Sequence, residues 1–228
     1  MMSDRSSIAR RISSLCPDRS LRYYTKTKLL TDPLYGGVLK VLNGRSEPLL
    51  DVGSGLAILS FYLRECGWMA PVKCIDYDES KVVQGNAMIK SGEYQNITLS
   101  QGDARTDLPE HSGDVTILDI LQFFTLDEQK QLLRLAASRV CPGGKLIIRS
   151  GLKKKSLRFF ITWCGDMLAK ATFWMKAAPT HYPTAELFEK VLGDEGFKVE
   201  VSPFWGKTPF NNYLIVSTRL ADPISEDQ

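Results

Sequence analysis

The segment Pro48-Leu49-Leu50-Asp51-Val52-Gly53-Ser54-Gly55 constrains the fold of this chain more than any other. A short apolar run stops at a Gly-x-Gly turn. A helical stretch follows over 56–66, with Leu59, Tyr62, Leu63 and Cys66 on one side and Gly67 at its end. Strand, tight glycine turn, helix is the ligand-binding turn of doubly wound folds, because glycine tolerates the turn's backbone and lets a ligand approach closely. The alternation continues with a strand over 72–76, a helix over 80–91 closed by Gly92, and strands over 97–100 and 114–118. Thr125-Leu126-Asp127-Glu128 is a capping box that opens a helix reaching about residue 140. Pro142-Gly143-Gly144 then turns the chain into a strand over 145–149. This spacing predicts an α/β fold with a doubly wound, mostly parallel sheet. The end differs. Thr184 caps a helix to about residue 194, and strands over 197–201 and 213–218 follow with only a loop between them. Such strands pair antiparallel or not at all.

Acidic residues sharpen the reading of the turn. Asp51 stands two residues before Gly53, at the carboxyl end of its strand. A carboxylate there suits a ligand with an ammonium and a sulfonium group and repels a pyrophosphate. Asp76 ends the next strand, where a ribose-binding acid belongs. Asp103, in Gly102-Asp103-Ala104, follows the third strand and is placed to accept from an exocyclic adenine amine. Taken singly, Asp51 also reads as a helix-capping acid and Asp76 as a turn residue. All of these features in this order are improbable by accident.

As an ordered set, Leu49-Leu50-Asp51-Val52-Gly53-Ser54-Gly55, Cys74-Ile75-Asp76-Tyr77-Asp78, Gly102-Asp103-Ala104 and Pro142-Gly143-Gly144 resemble the motifs of class I S-adenosylmethionine-dependent methyltransferases. The resemblance is strong over 48–149 and weak elsewhere. It implies a Rossmann-like fold closed by the antiparallel pair, with S-adenosylmethionine as cofactor. Asp51, Gly53 and Gly55, with Ser54 in the same turn, would hold its methionine part. Asp76, with Tyr77 beside it, would hold the ribose hydroxyls. Asp103 would take the adenine edge, and Ala104 would donate its N–H to the ring. Ile58 stands where many relatives have a smaller residue, and little consequence is expected because the position packs helix on strand.

The resemblance also puts 119–124 beside the reactive methyl. The segment lacks the Asn/Asp-Pro-Pro-aromatic run of nucleobase amino-methyltransferases, and no Pro-Cys nucleophile is placed there. Asp119 is a candidate for positioning the acceptor or the methionine end, and equally a helix-capping acid. Phe123 and Phe124 line a pocket or the core. His181 and Tyr182 are candidates for handling a proton; Tyr23, Tyr24 and Lys28 are further ones.

Between them lies an insert over 152–182. Leu157, Phe160, Ile161, Cys164, Leu168 and Ala171 repeat at helical spacing, which predicts one buried face. Phe159, Trp163, Phe173 and Trp174 form a second set, behind Lys153-Lys154-Lys155 and Arg158. Two readings compete: a lid over an apolar acceptor, or peripheral contact of 153–176 with a membrane surface. Arg149, His181-Tyr182, Thr208-Pro209-Phe210-Asn211-Asn212 and Lys28 through Asp32-Pro33-Leu34-Tyr35 are also similar to methyltransferases associated with bacterial aryl-polyene pigment synthesis. That similarity implies a hydroxyaryl or polyene acyl acceptor, free or carried on a protein.

Composition excludes other classes. The net charge of +3 is too small to argue for nucleic acid. Five cysteines without a C-x-x-C spacing and two distant histidines predict neither a disulfide framework nor a metal site. A reducing, cytoplasmic setting follows, and no run of 18 apolar residues is present. The expected organisation is a helical substrate cover over 1–47, a methyltransferase domain over 48–220 carrying the insert, and a disordered tail over 221–228. Residues 1–15, rich in Arg and Ser, read as a loosely docked leader or a weak transit peptide. Rival functions are an NAD-dependent oxidoreductase, which would want a third glycine, and a non-catalytic relative that binds the cofactor.

Overall fold

The computed structural model describes residues 4–154, 156–162 and 179–221. They fall into two compact units, Met1–Thr106 with Phe204–Thr208 and Asp107–Pro203 with Pro209–Gln228.

The first unit begins with α1 (Arg5–Ser14), α2 (Arg19–Thr31) and α3 (Leu34–Leu42). Ile8, Ala9, Ile12 and Cys16 are buried along one face of the α1 turn, so this segment is a packed helix and not a loose leader. Arg11 Nε meets Glu65 Oε1 at 2.7 Å, and Tyr94 Oη donates to the same oxygen at 2.8 Å. Ahead of α3, Asp32 Oδ1 accepts from Leu34 N at 2.9 Å. Then come β1 (Leu49–Val52), α4 (Ile58–Glu65), β2 (Val72–Asp76), α5 (Glu79–Ser91) and β3 (Ile97–Gln101). Helix α4 starts two residues later than its apolar pattern, because Ala57 is left-handed at φ 61° and prolongs the turn.

Strands β1 and β3 flank β2, all parallel, with Asp51 opposite Cys74 and Asp76 opposite Gln101. All four residues of β1 are buried, which is why it reads as a continuous apolar run. The register brings the carboxyl ends of three strands to one edge. Helix α5 lies close under the glycine turn. A Cβ on Gly85 would stand 2.4 Å from Leu99 Cδ2 and 3.1 Å from the Leu56 carbonyl oxygen.

In the second unit, β4 (Asp114–Leu118) leads through a 3-10 turn (Leu121–Phe123) to α6 (Leu126–Ser138) and β5 (Lys145–Gly151). Helix α7 (Ala185–Asp194), β6 (Phe197–Pro203) and β7 (Asn212–Arg219) follow. The capping box at Thr125 and Glu128 is present in both directions. Strand β4 pairs β5 in parallel, while β7 runs antiparallel to both β5 and β6. The seven strands are thus mostly parallel and end in an antiparallel pair, the α/β class expected.

The insert departs from its pattern. Residues 157–162 are helical, but Leu157 is 75% exposed and Phe160 58%, with Ile161 half-buried. Two contacts turn the helix. Asn211 N donates to Thr162 Oγ1 at 2.7 Å, and Phe159 meets Tyr182 edge-on with ring centroids 5.0 Å apart. Phe159 and Thr162 therefore face inward, and the expected stripe turns out. Cys164, Leu168, Ala171, Trp163, Phe173 and Trp174 lie outside the described residues, as does the tail beyond 221. Among the described residues no helix is long and apolar enough to cross a membrane.

Gly85→Val should lower stability by about 3 kcal/mol, since one new neighbour is backbone and cannot give way. Urea midpoints of the two proteins test this.

Candidate active site

The turn after β1 is fastened to β2 by backbone contacts. Gly53 N and Ser54 N both donate to the Ile75 carbonyl, at 2.9 and 3.0 Å. Gly53 and Gly55 have φ of +73° and +60°, conformations that a side chain resists. Gly55 N donates to Asp76 Oδ2 at 2.7 Å, and Asp78 N donates to Asp76 Oδ1 at 2.9 Å. Each carboxylate oxygen keeps a lone pair for a further donor. At Gly55 an added Cβ would find only Lys81 Cδ, 3.9 Å away, so the turn presents bare backbone to open space.

Asp51 is 2% exposed, behind this turn. Burial first, and the Asp51 carboxylate second, push the neighbouring Cys74 thiol far above the usual range, so Cys74 is no nucleophile. Tyr77 presents a half-exposed ring after β2, and its carbonyl accepts from Gln101 Nε2 at 3.3 Å. Gly102 N donates to the Asp76 carbonyl at 3.1 Å, which brings the end of β3 alongside. Asp103 Oδ1 accepts from Arg105 N at 2.9 Å, and its partly exposed carboxylate also meets Arg105 Nη1 at 3.4 Å. Ala104 lies in that turn, half-buried. The unit thus gathers Asp51, Gly53, Ser54, Gly55, Asp76, Tyr77, Asp103 and Ala104 along one edge. Buried carboxylates beside a bare backbone turn fit a cationic ligand with a diol, and fit a pyrophosphate poorly.

The second unit gathers a different set after β4. Asp119 is left-handed at φ 60°, and its N–H donates to the Arg149 carbonyl at 2.9 Å. Its carboxylate takes both Nε, at 2.7 Å, and Nη2 of the buried Arg149. Asp119 is therefore an ion-pair partner and not a helix cap. The carbonyl of Gln122 accepts Thr180 N at 2.7 Å and His181 N at 3.2 Å. Gln129 Nε2 donates to the His181 carbonyl at 2.7 Å. Tyr182 and Phe124 are buried beside these groups, and Phe123 is half-buried. Gln122 and Gln129 hold His181 in place, and sequence reasoning passed over both. Gln129 carried a signal, being polar on the apolar α6 stripe with Leu132, Leu133 and Ala136.

Residues 44–192 match the model of a family described as a methyltransferase domain. The chain belongs to this family. It is a class I S-adenosylmethionine-dependent methyltransferase, and family membership sets aside the oxidoreductase reading. Solved structures of the same fold include the magnesium protoporphyrin IX methyltransferase of Synechocystis with bound SAH, 19% identical, TM-score 0.67, covering 94% of this chain and 95% of that one. An O-methyltransferase family protein from Burkholderia thailandensis is 16% identical with TM-score 0.64, over 90% of this chain and 61% of that one. The pyocyanin biosynthetic protein PhzM is 20% identical with TM-score 0.66, over 95% and 62%. The chain thus spans about three fifths of the latter two proteins. At these identities the likeness establishes the fold. No curated protein sequence matches the chain.

Arg149→Leu strips the Asp119 carboxylate of its fork. With Asp119 30% exposed, the expected loss is about 2 kcal/mol, below that of a fully buried pair. Thermal and urea unfolding measure it.

Proposed function

We propose that this methyltransferase acts on a small or lipid-like apolar acceptor of the hydroxyaryl or acyl class, at oxygen or at an activated carbon. The observation that carries the reading is the cluster after β4: His181, held through its backbone by Gln122 and Gln129, next to buried Tyr182 with Phe159 edge-on to it, and Phe124 on the same Gln129 amide. The likeness to a protein named as an O-methyltransferase, and to another named for a macrocyclic aromatic, supports the same class.

When bound, S-adenosylmethionine supplies a methyl carbon on a positively charged sulfur, already activated for displacement. The protein therefore has to hold, orient and keep dry. In this reading Asp51 faces the cationic methionine end. Asp76 accepts the ribose hydroxyls on its remaining lone pairs, Tyr77 covers them, and Asp103 with the Ala104 N–H meets the adenine edge. Asp119 acts by fixing the turn after β4 through Arg149. His181 takes the proton of the acceptor hydroxyl as its oxygen attacks, and the aromatic rings exclude water. A second reading, peripheral membrane contact of 153–176, is favoured by exposed Leu157 and Phe160 next to exposed Lys153 and Lys154.

Calorimetry should give micromolar binding of S-adenosylmethionine and none of NADH. Asp76→Ala should weaken that binding about thirty-fold, the worth of hydrogen bonds to a charged group. A preference for NADH would overturn the cofactor assignment. In a screen of hydroxyaryl acceptors, His181→Ala should lower kcat/KM about a hundred-fold with cofactor affinity unchanged. Unaltered turnover across pH would remove His181 as the base.

A further inference from the structure

The first 31 residues carry seven Lys and Arg against two Asp, whereas the whole chain is only +3, so the remainder is net −2. This charge is organised. On α2, Arg19, Arg22, Tyr23, Lys26 and Leu30 are all exposed, and their spacing of three, one, three and four residues puts them on one helical face. Thr25 and Leu29, to one side of this face, are buried. Tyr23 is 74% exposed and Leu30 37%. The stripe is about 16 Å long at helical rise. No acidic residue interrupts it, and Arg19, Arg22 and Lys26 form no ion pair among the described residues. Arg22 spends one N–H on the Cys16 carbonyl at 3.3 Å. By contrast Arg11, on α1, is paired with Glu65, and Lys28 lies over the Tyr24 ring.

We propose that this face of α2 docks the enzyme on an anionic lipid surface. Two features favour lipid over another polyanion. The stripe's cations have long stems that reach headgroups while the helix lies flat. Tyrosine stands mid-stripe and leucine at its end, the side chains that settle at the boundary between water and hydrocarbon. The surface uses no residue of 153–176, and of the candidates for methyl transfer it includes only Tyr23, which the charge variants leave in place, so it stands whether or not the other assignments do.

The test is flotation of the full chain with vesicles of phosphatidylcholine alone and of phosphatidylcholine mixed with phosphatidylglycerol. Binding is expected only to the mixed vesicles and should fall as salt rises. Arg19→Glu/Arg22→Glu/Lys26→Glu should reduce it roughly a hundred-fold. Cofactor affinity by calorimetry should stay as in the parent. Should that variant fail to fold, Arg19→Gln/Lys26→Gln should reduce binding roughly ten-fold. Four results would overturn the proposal: no binding of the parent to mixed vesicles, equal binding to neutral ones, undiminished binding of a folded charge variant, or loss of binding confined to Leu157→Ser/Phe160→Ser. Tighter binding to a single-stranded RNA than to the mixed vesicles would reassign the face to nucleic acid.

Discussion

Gly55 N–H and Asp78 N–H donate to the two oxygens of the Asp76 carboxylate, and the turn after β1 hangs on this pair of contacts. The first bridges the turn after β1 to the end of β2. The second starts the segment that caps α5 through Asp78. One side chain thereby sets the spacing of two strand ends and the direction of the following helix. The left-handed glycines follow from it. A turn held on one side by the Ile75 carbonyl and on the other by Asp76 has no room for an ordinary backbone path. Close packing of Gly85 under Leu56 then supports the turn from below.

The other unit reaches rigidity by different means. There, amide side chains and an ion pair fix the loops that leave the paired strands. Gln129 sends its amide to the carbonyls of Leu121, Phe124 and His181, so a single residue of α6 fixes both the 3-10 turn and the segment before α7. Asn211 does the same between β7 and the insert, donating to the Leu152 carbonyl at 2.8 Å and to Thr162 through its N–H. Such buried amides are worth little net energy each. Their value is directional, since each carbonyl they satisfy can be reached from only one arrangement of the chain.

What was legible in the sequence follows from range. Strand ends, glycine turns and capping pairs are local, and Asp51, Asp76, Asp103 and the Thr125–Glu128 box were all readable from neighbours a few residues away. The supports of His181 were not, because Gln129 shows only as a polar residue on an apolar stripe and its partner lies 52 residues away. Helix α1 was hidden by composition: its arginines and serines mask an Ile8, Ala9 and Ile12 stripe that only the packed partner reveals. At 157–162 periodicity chose the wrong face. One hydrogen bond and one aromatic contact outweighed a longer apolar pattern, half of which lies outside the described residues.

Cys74 adds something to the behaviour of the sheet. It sits in β2 with no exposed surface, against Ser60 and the Asp51 carboxylate, and its thiol gives up its proton only with difficulty. A thiol reagent therefore reaches it only when β1 and β2 part. Cys66 and Cys141 are half-buried by comparison. The native chain carries its own clock for sub-global opening: the rate at which Cys74 is modified reads how often the strand beneath the glycine turn lets go.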